Sequence, residues 1–451
     1  MTISHRTETL VLFLGDVCIL YATLLLTLFF RYRTSTEFDL GLMIRLHLLP
    51  FSLLFVLWVF VFFVAGLYEK HTLFLQKQLP QLLFKTLAVN SVVAALFFYF
   101  LPAFKITPKI NLFIYLFVSS VFLFFWRRSY LYRMRSAERE PAALIGAGEE
   151  MRSVLQEVNH NSRYQLSFVV TLDMDAVSTP DVSDLLRRIK DECASLIIAD
   201  LYDSRVQKFL PRLYALLFSG IRFADLHEVY EELFDRVPLS LLKYHWFLKH
   251  VSPTSRPGYH ILKRAMDVTA AALLGALSLF IYPLAYAAVK LDDGGPLFVL
   301  QERVGRNNRV IRTVKFRTMT RDDKGLAELK KGNTVTRVGA FLRAARLDEL
   351  PQLWNVLRGE MSLIGPRPEL PSLVQVYEQE VPFYDIRHLI KPGLSGWAQL
   401  YHRTPPKVHA NPDETAVKLS YDLYYLKNRS FWLDLKIAVK TIKVLLSRSG
   451  V

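Results

Sequence analysis

The sequence predicts a three-part membrane protein. A four-helix transmembrane bundle is expected over residues 1–135, a small α/β (Rossmann-like) domain over 140–250, and an α-rich, membrane-associated unit with a re-entrant helix at 270–289 over 259–451. Three observations predict it. Long apolar runs crowd the chain before Arg127, although 22% of the 451 residues are charged. Short apolar runs then alternate with helix-like stretches. A last apolar run, Ala270 to Val289, is interrupted by Pro283 and bounded by charge at both ends.

The early runs are Leu10–Phe30, Leu46–Tyr68, Thr86–Pro102 and Ile110–Trp126. Most are near the roughly 20 residues that a bilayer core demands. No small-residue cleavage site follows the first, which reads as a retained membrane helix rather than a signal peptide. Arg127, Arg128, Arg133 and Arg135 follow the last. The positive-inside bias then places the rest of the chain, and with an even number of spans the N-terminus, on the cytoplasmic side. Arg31 and Arg33 fall in an outside loop on this topology and argue weakly against it. Asp16, within the first span, is either a functional intramembrane acid or an acid paired with a neighbouring helix.

The strands of the second unit are read from "AALIGAG", "YQLSFVVTLD" and "ASLIIADL", buried runs spaced as in a small parallel α/β domain. "GAGEEM" offers Gly146 and Gly148 at the mouth of a helix, where a phosphate can bind. Met151 stands where the third glycine of a dinucleotide fingerprint belongs, so the motif reads as a structural or regulatory remnant. Cys18 and Cys193 lie in different parts of the chain, which argues against a disulfide framework or a cysteine zinc site. A net charge of +15 suits anionic headgroups, nucleic acid or phosphorylated substrates without separating them.

The third unit follows a linker-like "PTSRPGYH". A proline inside its apolar run removes a backbone hydrogen bond and kinks the helix. Lys263, Arg264 and Asp267 precede the run, and Lys290, Asp292 and Asp293 follow it. A helix that dips into the membrane and returns keeps both flanks on the cytoplasmic face, whereas a plain fifth span carries everything after it outside. The tail "LKIAVKTIKVLLSRSGV" places apolar and basic residues at helical spacing, suited to the membrane surface or to packing on the domain.

The chemistry concentrates in "RLDELPQLWNVLRGEMSLIGPRPE", residues 346 to 369. Neighbours on a helix do not share a face, so Asp348 and Glu349 are not a shared-proton dyad. Pro351 favours a first helical position, which sets both acids just before a helix, at the positive end of its dipole. Asp348 is there either an N-cap or a nucleophile toward phosphorus. Glu349 suits Mg²⁺, which takes one or two carboxylates plus phosphates and water. Lys315 and Arg317 alternate in "VKFRTM" and share one strand face. Arg367 is pinned between Pro366 and Pro368. Such cations grip phosphates and stabilise a transferring phosphoryl group. His402 and His409 lack the spacing of zinc ligands, and neither G-x-S-x-G nor a P-loop occurs.

In order, "KRAMDV", "GGPLFVLQERVG", "VKFRTM", "TRVGAFLR", "LDELPQLWNVLRGEMSLIGPRPE", "KPGLSGWAQL" and "YDLYYLKN" closely resemble the bacterial sugar transferase family of polyprenyl-phosphate phosphoglycosyl transferases. The resemblance covers residues 259 to 451 strongly, and the preceding bundle and α/β domain look like the large-format members. It implies transfer of a sugar-1-phosphate from a UDP-sugar to undecaprenyl phosphate with release of UMP, the first membrane step of exopolysaccharide, capsule or O-antigen (lipopolysaccharide) synthesis. On this resemblance Asp348 is the nucleophile that forms an aspartyl phosphosugar, and Glu349 is the Mg²⁺ ligand. Lys315, Arg317, Arg343 and Arg367, with Pro366 and Pro368, form the phosphate-binding set. It further implies a re-entrant helix broken at Pro283, a multi-pass protein of the bacterial inner membrane whose catalytic domain faces the cytoplasm, contact with membrane lipids, and homodimers through the extra domains, with no nucleic-acid partner. Tyr282 stands where many members have serine before the breaking proline, and Ser395 where threonine is usual. Two rivals stay open on the sequence: an NAD-dependent nucleotide-sugar oxidoreductase working at "GAGEEM", and a non-enzymatic scaffold for polysaccharide assembly.

Overall fold

A computed structural model describes residues 5–32, 40–68, 79–100, 109–136, 139–161, 164, 166–177, 181–239, 242–251, 257–320, 334–402 and 411–446. The chain divides into two compact units, Met1–Val229 and Tyr230–Val451. The linker residues 252–256, His409 and the last five residues of the tail lie outside the described residues.

The first unit opens with helices α1 (His5–Tyr32), α2 (Leu40–Ala65), α3 (Leu79–Phe100) and α4 (Lys109–Ser136). Each contains a stretch of 19 to 25 residues long and apolar enough to cross a membrane. Their inner faces carry Leu20, Leu54, Trp58, Phe62, Tyr115 and Leu123, all buried, while Phe84, Val56, Phe113 and Phe117 point outward. An apolar exterior of this kind is the mark of a lipid-facing bundle. Asp16 is fully buried and paired. Arg127 Nε donates to Asp16 Oδ1 at 3.2 Å and its Nη2 to Oδ2, while the Tyr68 hydroxyl donates to Oδ2 at 2.8 Å. Arg127 Nη1 also takes the carbonyl of Leu67 at 3.0 Å. Of the arginines after the fourth apolar run, this one therefore turns inward and neutralises the intramembrane acid.

A four-stranded, wholly parallel sheet follows, in the order β2-β1-β3-β4. Its strands are β1 (Glu140–Gly146), β2 (Leu166–Asp173), β3 (Leu196–Ala199) and β4 (Arg222–Asp225). Helices α5 (Gly148–His160), α6 (Val182–Asp191), α7 (Ser204–Gln207), α8 (Leu210–Tyr214) and α9 (Leu226–Phe234) connect or follow them. Met151 packs against Gly146, and the Gly148 N–H is taken by Asp175 Oδ2 at 2.9 Å. The helix mouth proposed for a phosphate thus already holds a carboxylate of its own chain.

The second unit takes in α10 (Tyr244–His250), expected on the sequence to belong with the α/β domain. Trp246, Phe247 and Val251 instead join a core with Val304, Val374, Tyr377, Leu419 and Leu423. Helices α11 (Pro257–Ser278) and α12 (Ile281–Asp292) meet at 53°. The break falls at Leu279–Phe280, and Pro283 sits in the first turn of α12, where a missing N–H leaves no intrahelical bond unmade. Leu273, Leu277, Phe280 and Leu284 around the bend are all exposed.

Beyond α12, β5 (Phe298–Val304) and β6 (Val310–Phe316) form an antiparallel hairpin, and β7 (Ser362–Ile364) pairs in parallel with β8 (Gly393–Ser395). Glycines make the second pairing possible. A Cβ at Gly393 would stand 2.1 Å from Gly365 N, so the two backbones approach as no side chain permits. The C-terminal helix Phe431–Leu446 packs on the domain by one face and leaves apolar residues exposed on another. Ile437 and Val439 are buried, while Trp432, Leu435, Ile442 and Leu445 are exposed.

Candidate active site

Two strand faces and two turns converge on one cleft. Alternation along β6 puts Thr313 and Lys315 on the same face, and the hairpin register sets Gln301 and Arg303 of β5 on that face as well. A 3₁₀ turn, Leu347–Gln352, lies across it and presents the acid pair, running directly into the helix Leu353–Arg358. The acids thus lie within a 3₁₀ turn that immediately precedes an α-helix. Arg346 opens it at φ 57°, a left-handed conformation that costs a non-glycine residue on the order of 1 kcal/mol. No side chain caps the turn, so Asp348 is not an N-cap.

The motifs flanking the acids are structural clamps on this turn. Arg264 donates from Nη1 to Val356 O at 2.7 Å and from Nη2 to Leu357 O at 2.8 Å, closing the helix that the acids feed. Buried Asp267 accepts from Ser362 Oγ and from Leu363 N, both at 3.0 Å. The "KRAMDV" run of α11 is thereby bolted to the segments on either side of the site.

Arg367 reaches the cleft from the turn after β7. Prolines cannot donate, so this turn is held through its carbonyls. Pro366 O accepts from Gly393 N at 2.8 Å, Arg367 O from Arg387 Nη2 at 3.0 Å, Pro368 O from Arg303 Nη1 at 3.4 Å, and Glu369 O from Val304 N at 2.9 Å. Four consecutive acceptors with four separate donors leave the backbone little freedom.

At the centre, Glu349 Oε1 accepts from Arg367 Nη2 at 2.8 Å and lies 3.3 Å from Lys315 Nζ. Burial opposes its ionisation, but Arg367 and Lys315 outweigh burial and hold the Glu349 carboxyl well below the usual carboxylate range. Burial likewise pushes the Lys315 ammonium down, against the pull of Glu349. Asp348 differs. It is only 9% exposed, and no described residue donates a hydrogen bond to it. Burial, then the neighbouring Glu349 charge, pushes its carboxyl up, while Lys315, Arg343 and Arg367 pull it down. One acid is clamped and ionised; the other is free of donors and more basic than usual.

The cleft is open to solvent and is lined by Arg303, Thr313, Lys315, Glu349, Gln352, Arg367, Pro368, Gly393 and Leu394. Arg343 stands outside that lining and donates to Thr318 Oγ1 at 2.8 Å, its charge still acting on Asp348. Arg317 does not reach the cleft. It falls one residue past β6 and pairs with Asp293 at 2.9 Å, with further donation to Met319 O and Thr320 O. Arg303, Thr313 and Gln352 were not singled out on the sequence. The period-2 pattern of "FVLQERV" opposite "VIRTVKF" is the signal that finds the first two. Among the described residues no cluster of three metal-ligating side chains occurs. Among the described residues nothing donates a hydrogen bond to Glu349 Oε2 or to the Asp348 carboxylate, and this donor set fits Mg²⁺ bound mainly by phosphates and water.

The cleft is thus cation-lined around the clamped Glu349, with Asp348 next to it in the same turn but outside that lining, on a chain with four helices long and apolar enough to cross a membrane. The chain belongs to the bacterial sugar transferase family, whose description matches residues 258–448. It is 40% identical over 264 residues to the UDP-N-acetylgalactosamine-undecaprenyl-phosphate N-acetylgalactosaminephosphotransferase of Aeromonas hydrophila, covering 56% of this chain and 59% of that protein. It is 33% identical over 319 residues to the undecaprenyl-phosphate glucose phosphotransferase of Komagataeibacter xylinus (67% and 58% covered). With the UDP-glucose:undecaprenyl-phosphate glucose-1-phosphate transferase of Caulobacter vibrioides it shares 39% identity over 203 residues, 44% of this chain and 75% of that protein. The chain thus spans less than two thirds of the length of the first two of these relatives.

Proposed function

We propose that the protein transfers a sugar-1-phosphate from a UDP-sugar to undecaprenyl phosphate, releasing UMP, through a covalent aspartyl phosphosugar. The observation that carries this reading is the division of labour between the two acids: Glu349 fixed by Lys315 and Arg367, Asp348 buried yet bound by no donor. In the first step an Asp348 oxygen attacks the sugar-bearing phosphorus. The Asp348 O–P bond forms, the P–O bond to UMP breaks, and its electron pair leaves on the UMP oxygen. In the second step an oxygen of undecaprenyl phosphate attacks the same phosphorus and the Asp348 carboxylate departs with its electrons. Lys315, Arg367 and Arg303 stand where charge accumulates on the phosphoryl oxygens, the largest usual source of acceleration in such transfers. Glu349 would hold Mg²⁺, which when bound would supply charge neutralisation of the diphosphate.

The bent pair α11–α12 is read as the re-entrant helix, keeping the isoprenoid in the bilayer and its phosphate at the surface. The enzyme then sits in the bacterial inner membrane with this domain facing the cytoplasm and the α/β domain serving a non-catalytic role, homodimerisation included. A first step of exopolysaccharide, capsule or O-antigen synthesis is the setting such a product serves. NAD chemistry at Gly148 is disfavoured, because Asp175 already occupies its N–H.

The test is UMP release by nanodisc-embedded protein given undecaprenyl phosphate, Mg²⁺ and a panel of UDP-sugars. UMP release with one donor, abolished by Asp348→Asn, is expected, and without acceptor the wild-type protein is expected to keep the phosphosugar covalently bound. A folded wild-type protein that releases UMP from no donor sinks the reading.

A further inference from the structure

A second, solvent-open cleft shares the Arg367 turn with the first and is lined by Pro366, Arg367, Pro368, Arg387 and His388 among others. Arg387 belongs to the 3₁₀ turn Tyr384–Leu389, whose entry residue Phe383 is held at φ 61°. Its side chain is 5% exposed and lies 2.8 Å from Asp422 Oδ2, itself 2% exposed. Nη1 donates to the Tyr384 hydroxyl at 2.7 Å, and Nη2 to the carbonyl of Arg367 at 3.0 Å.

A buried ion pair is a poor way to gain stability, since well-packed apolar residues of similar volume do as well or better. What this pair offers instead is a rigid, charged donor aimed at one carbonyl. Pro366 and Pro368 fix their own φ, and Pro368 keeps Arg367 out of the helical region. Pro368 confines the ψ of Arg367, the rotation that carries its carbonyl, to the extended range, and within that range the hydrogen bond from Arg387 holds the carbonyl in one place.

We propose that Arg387, with Asp422 as counter-charge, is a positioning residue: it holds the Arg367 carbonyl so that the Arg367 guanidinium stays on Glu349, and it touches no substrate itself. The inference rests on the phosphotransfer reading above for its effect on rate, though not for its effect on the backbone.

The test uses full-length protein in nanodiscs. Because Arg387→Met alone leaves Asp422 buried without its partner, the main variant is Arg387→Met with Asp422→Leu, which removes both charges at similar volume. Melting close to wild type is expected, with a fall in kcat of about 10²-fold, the usual cost of misplacing a reacting constellation by an ångström. Arg387→Lys is expected to restore part of the rate. Adding Arg367→Ala to the main variant should lower kcat no further than Arg367→Ala does alone, since one acts through the other. Hydrogen exchange of the peptide spanning residues 362–370 reads the backbone without turnover and should speed up in the main variant. Unchanged kcat in the folded main variant, a loss that multiplies with that of Arg367→Ala, or unchanged exchange overturns the proposal. Wild-type protein that releases no UMP overturns the transfer reading instead, and exchange alone then decides the role of Arg387.

Discussion

Asp348 and Glu349 are chemically near-equal and adjacent, yet their surroundings separate them. Glu349 carries two cations on one oxygen, and Asp348 carries none. If Asp348 is the nucleophile toward phosphorus, as proposed, it must be ionised to attack, so activity should be lost as pH falls through the Asp348 pKa. Burial and the Glu349 charge raise that pKa. The acid limb of kcat/KM is therefore expected above the ordinary aspartate value of about 3.9. Arg343 lowers the same pKa from outside the cleft, so Arg343→Gln should move the limb to higher pH, read from pH–rate profiles of both proteins. A limb that stays in place shows that Asp348 does not set it. The same residues show what a sequence can and cannot disclose. The acid pair, Lys315 and Arg367 were legible because their motifs fix them in turns and strands. Arg317 was misleading, because period-2 alternation holds only while the strand continues and β6 ends at Phe316. Arg303 escaped notice because its place depends on a cross-strand register with β6 that neither strand reveals alone.

At the scale of elements, apolar length and proline placement carried much of the information. The four early helices fall close to the apolar runs that predict them, since a bilayer-length run has few other fates. The break between α11 and α12 was anticipated at Pro283 but lies a turn earlier, because a proline is tolerated in a helix's first turn and the cost falls on the residues before it. The acids sit in a 3₁₀ turn for a related reason: Pro351 removes a donor there without forcing the turn to begin at itself. The bend makes a sharp topological prediction. In a background with Cys18 and Cys193 replaced by serine, single cysteines at His260 and Leu291 flank the pair on exposed positions. Both should react with a membrane-impermeant maleimide in inside-out vesicles and neither in intact spheroplasts. Labelling from opposite sides means that the pair crosses the membrane.

Over the molecule as a whole, the sequence suggests three parts with a boundary near residue 250, and the structure divides into two units after Val229. Residues 230–251 join the second unit because Trp246 and Phe247 find their apolar partners there, and a one-dimensional pattern does not show which core an amphipathic helix will choose. The strand order 2-1-3-4 was equally hidden, since alternating strands and helices announce a parallel sheet without ordering it. The intramembrane pair of Asp16 and Arg127 is the one long-range polar bond of the bundle that the sequence hinted at. Asp16→Leu leaves a buried guanidinium without its partner and should cost about 3–5 kcal/mol, seen as loss of monodisperse protein on detergent extraction. Replacing Arg127 by leucine as well should recover most of the folded yield; if it does not, the charges themselves are required.

The turn that aims Arg367 is tied by donors at residues 303, 387 and 393, and α11 is tied through Lys263 to Asp434 in the last helix, 3.3 Å away. During synthesis the apolar segments leave the ribosome first and fold in that order. The site therefore has no working geometry while the chain is growing, however early its acids appear. On the reaction proposed above, a nascent or truncated chain would settle in the membrane long before it could spend a molecule of lipid carrier.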